Sequence, residues 1–355
     1  MLAERLRRQQ LTRQVFDDVA ALVRWFGAVQ AQDLPGGKWA IGLRVRGGGA
    51  AGGAAPTVAD VDAAIAARRI VRSWPMRGTL HFVAAEDLRW LLGMLAPRVL
   101  TRAAARYREL GLDAATFSKA ERVVRRALHG GAVLARPAAM QVLASGGVDP
   151  AGQRGIHVLG WLAMRGVICQ ATPVGKQTGF ALLDDWVPGG HAWTGDAALA
   201  EVARRYVQSH APATAADFAW WSGLNLTEAR RAMALVGDQD RGDAALLGSG
   251  PAPPARGAWL LPPWDEYTVG YKDRAALVRP AHAAHAGLEL LKPTVMLDGQ
   301  VVGTWTRTLG KAGVSFAVSS FGALAATQRR RIDRAAQRYA SFFGRQVARV
   351  VVSST

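Results

Sequence analysis

One order of elements recurs along this chain and limits what it can fold into. Helical periodicity over 1–29, a short helical stretch at 38–44 and a helix at 58–68 capped by Thr57 lead into two strands. These strands, Ile70–Trp74 and Gly78–Val83, flank Pro75-Met76-Arg77. Three helices and then a hairpin is the order of a winged helix-turn-helix. The order returns with helices over 86–129, 136–147 and 152–166, followed by strands at 167–172 and 179–183 turning at Pro173–Gly175. A third run of helices covers 198–210, 215–223 and 225–236, with Thr214 and Asn225 or Thr227 as caps. After residue 262 the pattern becomes strand-like, with turns at Asp298-Gly299 and Leu309–Gly313. A basic helix at about 325–343 then leads to a terminal strand at 347–354. The expectation is an α+β fold, mostly helical. Three tandem winged units at 1–84, 85–190 and 195–262 precede a small β-barrel-like domain at 263–355 closed by the last strand.

Half of the 355 residues are hydrophobic and a fifth are charged, which excludes a disordered chain and supplies apolar surface for sizeable cores. Lysine and arginine number 44 against 27 acidic residues, a net charge of +17. Only six of the 44 are lysine, as a GC-rich genome writes, but codon bias does not create the excess over acidic residues. A surplus of that size points to a polyanion, nucleic acid first. No window approaches ~18 uninterrupted apolar residues, so no transmembrane helix is expected. The start, MLAERLRRQQ, lacks the apolar core of a signal peptide. The single cysteine, Cys169, has no intramolecular disulfide partner. The expectation is a cytoplasmic, bacterial-style monomer without membrane contact.

The segment that most suggests chemistry is Val29-Gln30-Ala31-Gln32-Asp33. Amide side chains both donate and accept hydrogen bonds, so Gln30 and Gln32 together can orient one water while being poor bases. Asp33 is either a cap at the helix break or an inward carboxylate. In Arg77-Gly78-Thr79-Leu80-His81, Thr79 and His81 share one strand face, where they would meet phosphate or a base edge. The alternative for His81 is a histidine satisfied inside the wing. Arg98, Arg102 and Arg106 repeat every four residues on one helix face; Arg122, Arg125 and Arg126 form a second stripe, and Arg329–Arg331, Arg334 and Arg338 a third. Such stripes neutralise phosphates or simply face solvent. Lys176-Gln177 sits at the tip of the second wing, suited to a minor groove. The histidines lack metal spacing, and the RGGGAAGG run lacks the Gly-Lys-Ser/Thr of a phosphate loop. No metal and no cofactor are expected.

Five blocks occur in order between residues 29 and 307: VQAQDLPGGKWAIGLR, RSWPMRGTLHFVAAEDLRWLL, PATAADFAWWSGL, LLPPWDEYTVGYKDR and VVGTWTR. In these the chain resembles the winged-helix DNA glycosylases of the AlkZ/YcaQ type, and the resemblance covers roughly residues 5–352. The resemblance implies a C-shaped, positively charged channel for double-stranded DNA built from three winged units and a barrel. It implies excision of cationic N-alkylated purines, N7-alkylguanine first, extending to bulky genotoxin adducts and interstrand crosslinks, in self-resistance or general repair. It also implies that Gln30-Ala31-Gln32 is the catalytic Gln-hydrophobic-Gln motif, with Asp33 beside it. Lys38, the nearest lysine, lies beyond the turn, so a monofunctional enzyme without a Schiff-base lyase step is expected, with Lys38, Arg77, Thr79, His81, Arg98, Arg102, Arg106, Lys176 and Gln177 on DNA. The alternatives are a non-enzymatic winged-helix DNA-binding protein or transcription regulator, and an RNA-binding protein.

Overall fold

A computed structural model describes residues 1–47, 55–187, 189–237, 252 and 254–354. The chain begins with α1 (Leu2–Arg8), α2 (Val19–Phe26), the two-residue strand β1 (Val29–Gln30), α3 (Leu34–Gly42) and α4 (Val58–Ala66). There follow β2 (Ile70–Met76), β3 (Thr79–Ala84), α5 (Leu88–Glu109), α6 (Ala114–Leu128), β4 (Leu134–Ala135), α7 (Arg136–Ser145) and α8 (Arg154–Met164). Next come β5 (Ile168–Val174), β6 (Gln177–Leu182), α9 (Leu183–Trp186), α10 (Gly195–His210), α11 (Ala215–Ser222) and α12 (Leu226–Val236). The last elements are β7 (Ala258–Leu261), α13 (Glu266–Val269), β8 (Thr294–Leu297), β9 (Gln300–Gly310), β10 (Gly313–Ser320), α14 (Ala326–Phe342) and β11 (Val347–Ser354). The class is α+β, with about half the described residues helical rather than most of them.

Local chemistry explains where these elements start and stop. The helix expected over 1–29 is two helices, because Gln10 turns left-handed (φ 59°) and its Oε1 accepts the Val15 N–H at 2.9 Å. Asp18 then restarts the helix by accepting the Ala21 N–H at 2.9 Å. The stretch expected from Lys38 begins earlier, at Leu34. Asp33 caps it, and Pro35 lies in the first turn, where a missing N–H is harmless. Thr214 with Asp217, and Asn225 with Glu228, form reciprocal capping boxes at α11 and α12. The β2–β3 turn has both central residues, Arg77 (φ 56°) and Gly78 (φ 77°), left-handed, as a two-residue hairpin favours.

The described residues form two compact units. In the unit spanning 62–199, the strands run in the order β3-β2-β5-β6-β4, all antiparallel. The two hairpins meet through one backbone register, Arg72 opposite Gln170, where the buried Arg72 guanidinium also donates to Gln170 Oε1. Phe117 stacks on Trp161 at 4.4 Å and meets Tyr107 edge-on, which ties α5, α6 and α8 into one core.

The other unit combines residues 1–61 with 200–355. Its sheet has the order β11-β10-β9-β8-β7. The last strand lies parallel to β10 at the outer edge and does not close onto β7, so among the described residues this is an open sheet, not a barrel. Cover replaces closure: α14 packs along β7, β10 and β11 and seats Tyr339 against Trp305 and Phe316. The same helix face holds Trp39 of α3 against Tyr339 and Phe342, with ring centroids 5.1 and 5.3 Å apart. Trp39 Nε1 donates to the Leu260 carbonyl at 2.6 Å, so α3 is fastened to β7. Residues 238–251, where a wing of the third helical run would fall, lie outside the described residues, and β7 pairs with β8.

Candidate active site

Gln30, Gln32 and Asp33 sit at the crossing from α2 through β1 into α3. Gly27 ends α2 in a positive-φ conformation, and β1 leaves only two residues of extended chain before the Asp33 cap. Gln30 is 8% exposed, Gln32 is exposed and Asp33 is half-buried. The Gln32 backbone N–H donates to Gln30 Oε1 at 2.9 Å, across Ala31. Asp33 Oδ2 accepts the Gly36 N–H at 3.0 Å, the capping alternative for that residue. Gly37 lies beneath Ala31 so closely that an added Cβ would come 2.8 Å from the Ala31 Cβ, so this approach needs glycine.

Behind the segment lies a buried polar cluster. Glu266, 1% exposed, accepts the Gln30 backbone N–H on Oε1 at 2.7 Å and the Trp221 indole N–H on Oε2 at 3.0 Å. His210 Nε2 lies 3.5 Å from the same Oε2. Burial disfavours the charged ring and pushes the His210 pKa below its ordinary value, against an upward pull from Glu266. Asp265, next to Glu266 in the chain, takes both ends of the Arg44 guanidinium, at 2.9 and 2.6 Å, with both side chains buried. Arg44 also donates to Gln9 Oε1, Gln9 Nε2 donates to the Tyr271 hydroxyl, and that hydroxyl donates to the His210 carbonyl. Arg5 lies over the Tyr271 ring at 3.7 Å, and burial raises the Tyr271 pKa well above the usual phenol range.

Sequence reading missed Arg44, His210, Asp265 and Glu266. The signal was an acidic pair inside the otherwise apolar run PPWDEYTVGY, since carboxylates are seldom buried without partners. Lys38 lies on α3 and is only 9% exposed. In the 62–199 unit, Arg77 and Thr79 are half-buried on the hairpin and His81 is fully buried. His81 Nδ1 pairs with the Thr79 carbonyl at 2.9 Å, and Nε2 lies 3.3 Å from an Arg77 guanidinium nitrogen. The imidazole is therefore engaged by its own hairpin, the alternative reading for that residue. Arg102 and Arg106 are exposed on α5 and Arg98 is half-buried; Arg106 pairs with Glu109 and Gln153, both at 2.8 Å. Lys176 and Gln177 are exposed at the β5–β6 tip. Among the described residues no three His, Cys, Asp or Glu gather to hold a metal ion, and no helix is long and apolar enough to cross a membrane.

The arrangement presents an exposed amide, able to donate and accept hydrogen bonds, backed by a buried polar support. Comparison with known proteins gives that arrangement a context. The profile of the AlkZ-like DNA glycosylases matches residues 23–342. An interstrand DNA cross-link repair glycosylase of Streptomyces sahachiroi is 26% identical over 334 residues, covering 86% of each chain. The solved structure of the Streptomyces sahachiroi DNA glycosylase AlkZ superposes with a TM-score of 0.74 at 24% identity, covering 100% of this chain and 98% of that one.

Proposed function

The chain belongs to the AlkZ-like family of DNA glycosylases, and on that premise we propose that it excises cationic N-alkylated purines from duplex DNA by direct attack of a water oriented by Gln30 and Gln32. The observation that carries the reading is the Gln30–Gln32 segment itself, an exposed amide tethered by hydrogen bonds to a buried core. N7-alkylation makes guanine cationic, so the base leaves with the electrons of the C1′–N9 bond and becomes neutral. Strong acid catalysis is unnecessary. The enzyme must place a water at C1′ and tolerate positive charge developing on the sugar. The water oxygen bonds C1′ and its proton passes to solvent. Asp33 supplies negative charge next to Gln32 in the chain while it caps α3. The cross-link activity named for the Streptomyces relative makes crosslinked purines a second substrate to test.

In this reading the hairpins at 70–84 and 168–182 are wings of two winged helix-turn-helix units, and 195–262 supplies the helices of a third. Exposed Lys176, Gln177, Arg102 and Arg106, with the more sheltered Arg77, Thr79 and Arg98, contact DNA. His81 and Lys38, both buried, shape the hairpin and α3 instead. The test is a duplex with one N7-methylguanine, with abasic sites revealed by hot alkali. Wild type should excise the base; Gln30→Ala/Gln32→Ala should lose about 100-fold or more while still binding the duplex. Tight binding without excision by wild type would support a non-enzymatic DNA-binding protein.

A further inference from the structure

We propose that Glu266 is the positioning residue of the glutamine segment, holding it from the core outward so that Gln32 carries the amide that touches the attacking water. The inference rests on the catalytic reading above. A carboxylate buried to 1% exposure is costly unless its oxygens are used. Glu266 uses both: Oε1 takes the Gln30 N–H and Oε2 the Trp221 indole N–H. The Gln30 N–H donates to this carboxyl oxygen at 2.7 Å, short for an N–H···O bond, and so fixes the main chain at the first glutamine. The Gln30 side chain passes the constraint on, because its Oε1 accepts the Gln32 N–H. Gly37, packed under Ala31, closes the segment from the other side. Gln30 thus commits its carbonyl oxygen inside the fold at 8% exposure, while Gln32 is exposed. The two glutamines are unequal: Gln30 is a strut and Gln32 the contact.

Glu266→Gln keeps the shape but leaves one of the two N–H donors facing an amide NH₂. On the N7-methylguanine duplex, E266Q should lower the single-turnover excision rate about 10- to 100-fold with duplex affinity unchanged within about twofold. Gln32→Ala alone should lose as much rate as Gln30→Ala/Gln32→Ala, and Gln30→Ala less. In the background lacking both glutamines, E266Q should cost no further rate, although its effect on Tm should be the same in both backgrounds. A merely stabilising carboxylate would move Tm and leave that rate pattern absent. If E266Q does not fold, Glu266→Asp, which keeps the carboxyl on a shorter stem, enters the same cycle with the same expected pattern. Wild-type excision by the Glu266 variant overturns the proposal. So does a rate loss that persists without the glutamines, a loss confined to affinity, or a fully active Gln32→Ala. Unchanged excision by Gln30→Ala/Gln32→Ala overturns the catalytic reading itself.

Discussion

Replacing Arg44 with methionine tests whether the polar cluster under the glutamines holds the fold together. Arg44 and Asp265 are 1% and 0% exposed and share two hydrogen bonds, at 2.9 and 2.6 Å. Arg44 also donates to the Ala40 carbonyl at 3.0 Å and to Gln9 Oε1 at 3.2 Å. Arg44→Met takes the guanidinium from Asp265, whose Oδ1 keeps the Tyr267 N–H at 2.9 Å. Removing one partner of a buried pair typically costs about 3–5 kcal/mol, because the other charge is left desolvated. For a cooperative unit of about 150–250 residues, each kcal/mol lowers Tm by about 2–4 °C. The expected fall is therefore about 6–20 °C, read by circular dichroism melting and by the urea midpoint. Arg44→Met/Asp265→Leu, which fills the site with apolar volume, should recover most of it, short of about 1 kcal/mol for the lost α13 cap. A fall under about 2 °C would refute this reasoning, since no pair of the expected strength would then exist. So would a double variant as unstable as the sum of the two single variants, because residues in contact must couple.

Burial, the largest cause, lowers the folded pKa of His210 below the ordinary value of 6.5. The unfolded chain takes up a proton below that pH and the folded one does not, so stability is full above about 6.5 and declines as pH falls, by at most about 1.4 kcal/mol per pH unit for one proton. His157 is lowered too, first by burial and then by Arg106, but it is less enclosed. His210→Asn should therefore flatten the Tm decline between about pH 7 and 5 more than His157→Asn, and equal slopes would remove His210 as the source. Lys176→Ala, at the exposed wing tip, should weaken duplex binding uniformly across sequences and reduce the slope of log K against log salt by about 1. An unchanged slope would take Lys176 off the phosphates.

Local signals were legible wherever one residue's chemistry decides an element. Thr214 and Asn225 cap their helices from the positions the sequence suggests, and the turn at Asp298-Gly299 forms with both residues left-handed. The break inside 1–29 escaped notice because apolar spacing continues through it. What fixes the break is the left-handed Gln10, whose Oε1 accepts the Val15 N–H, and periodicity does not encode it. The barrel expectation failed for a related reason. Alternation in β11 specifies a strand but not its neighbour, and pairing parallel to β10 at the edge satisfies the same pattern as closure onto β7.

The site divides along the same line. The glutamines stand out because their spacing and the following turn are contiguous in sequence. Their support does not, because Glu266 reaches Gln30 across 236 residues and Arg44 reaches Asp265 across 221. The run containing Asp265 and Glu266 announces that buried carboxylates need partners, but 38 arginines compete for the role and pattern alone does not choose among them. Nor does spacing show that glutamines two apart differ in exposure. A continuous strand would turn both to one face. Here β1 ends at Gln30 and the Asp33 cap begins the next helix, so the chain leaves the strand between them. That change of direction puts one amide inside and the other out, with the buried Glu266 carboxyl on the backbone of the inner one.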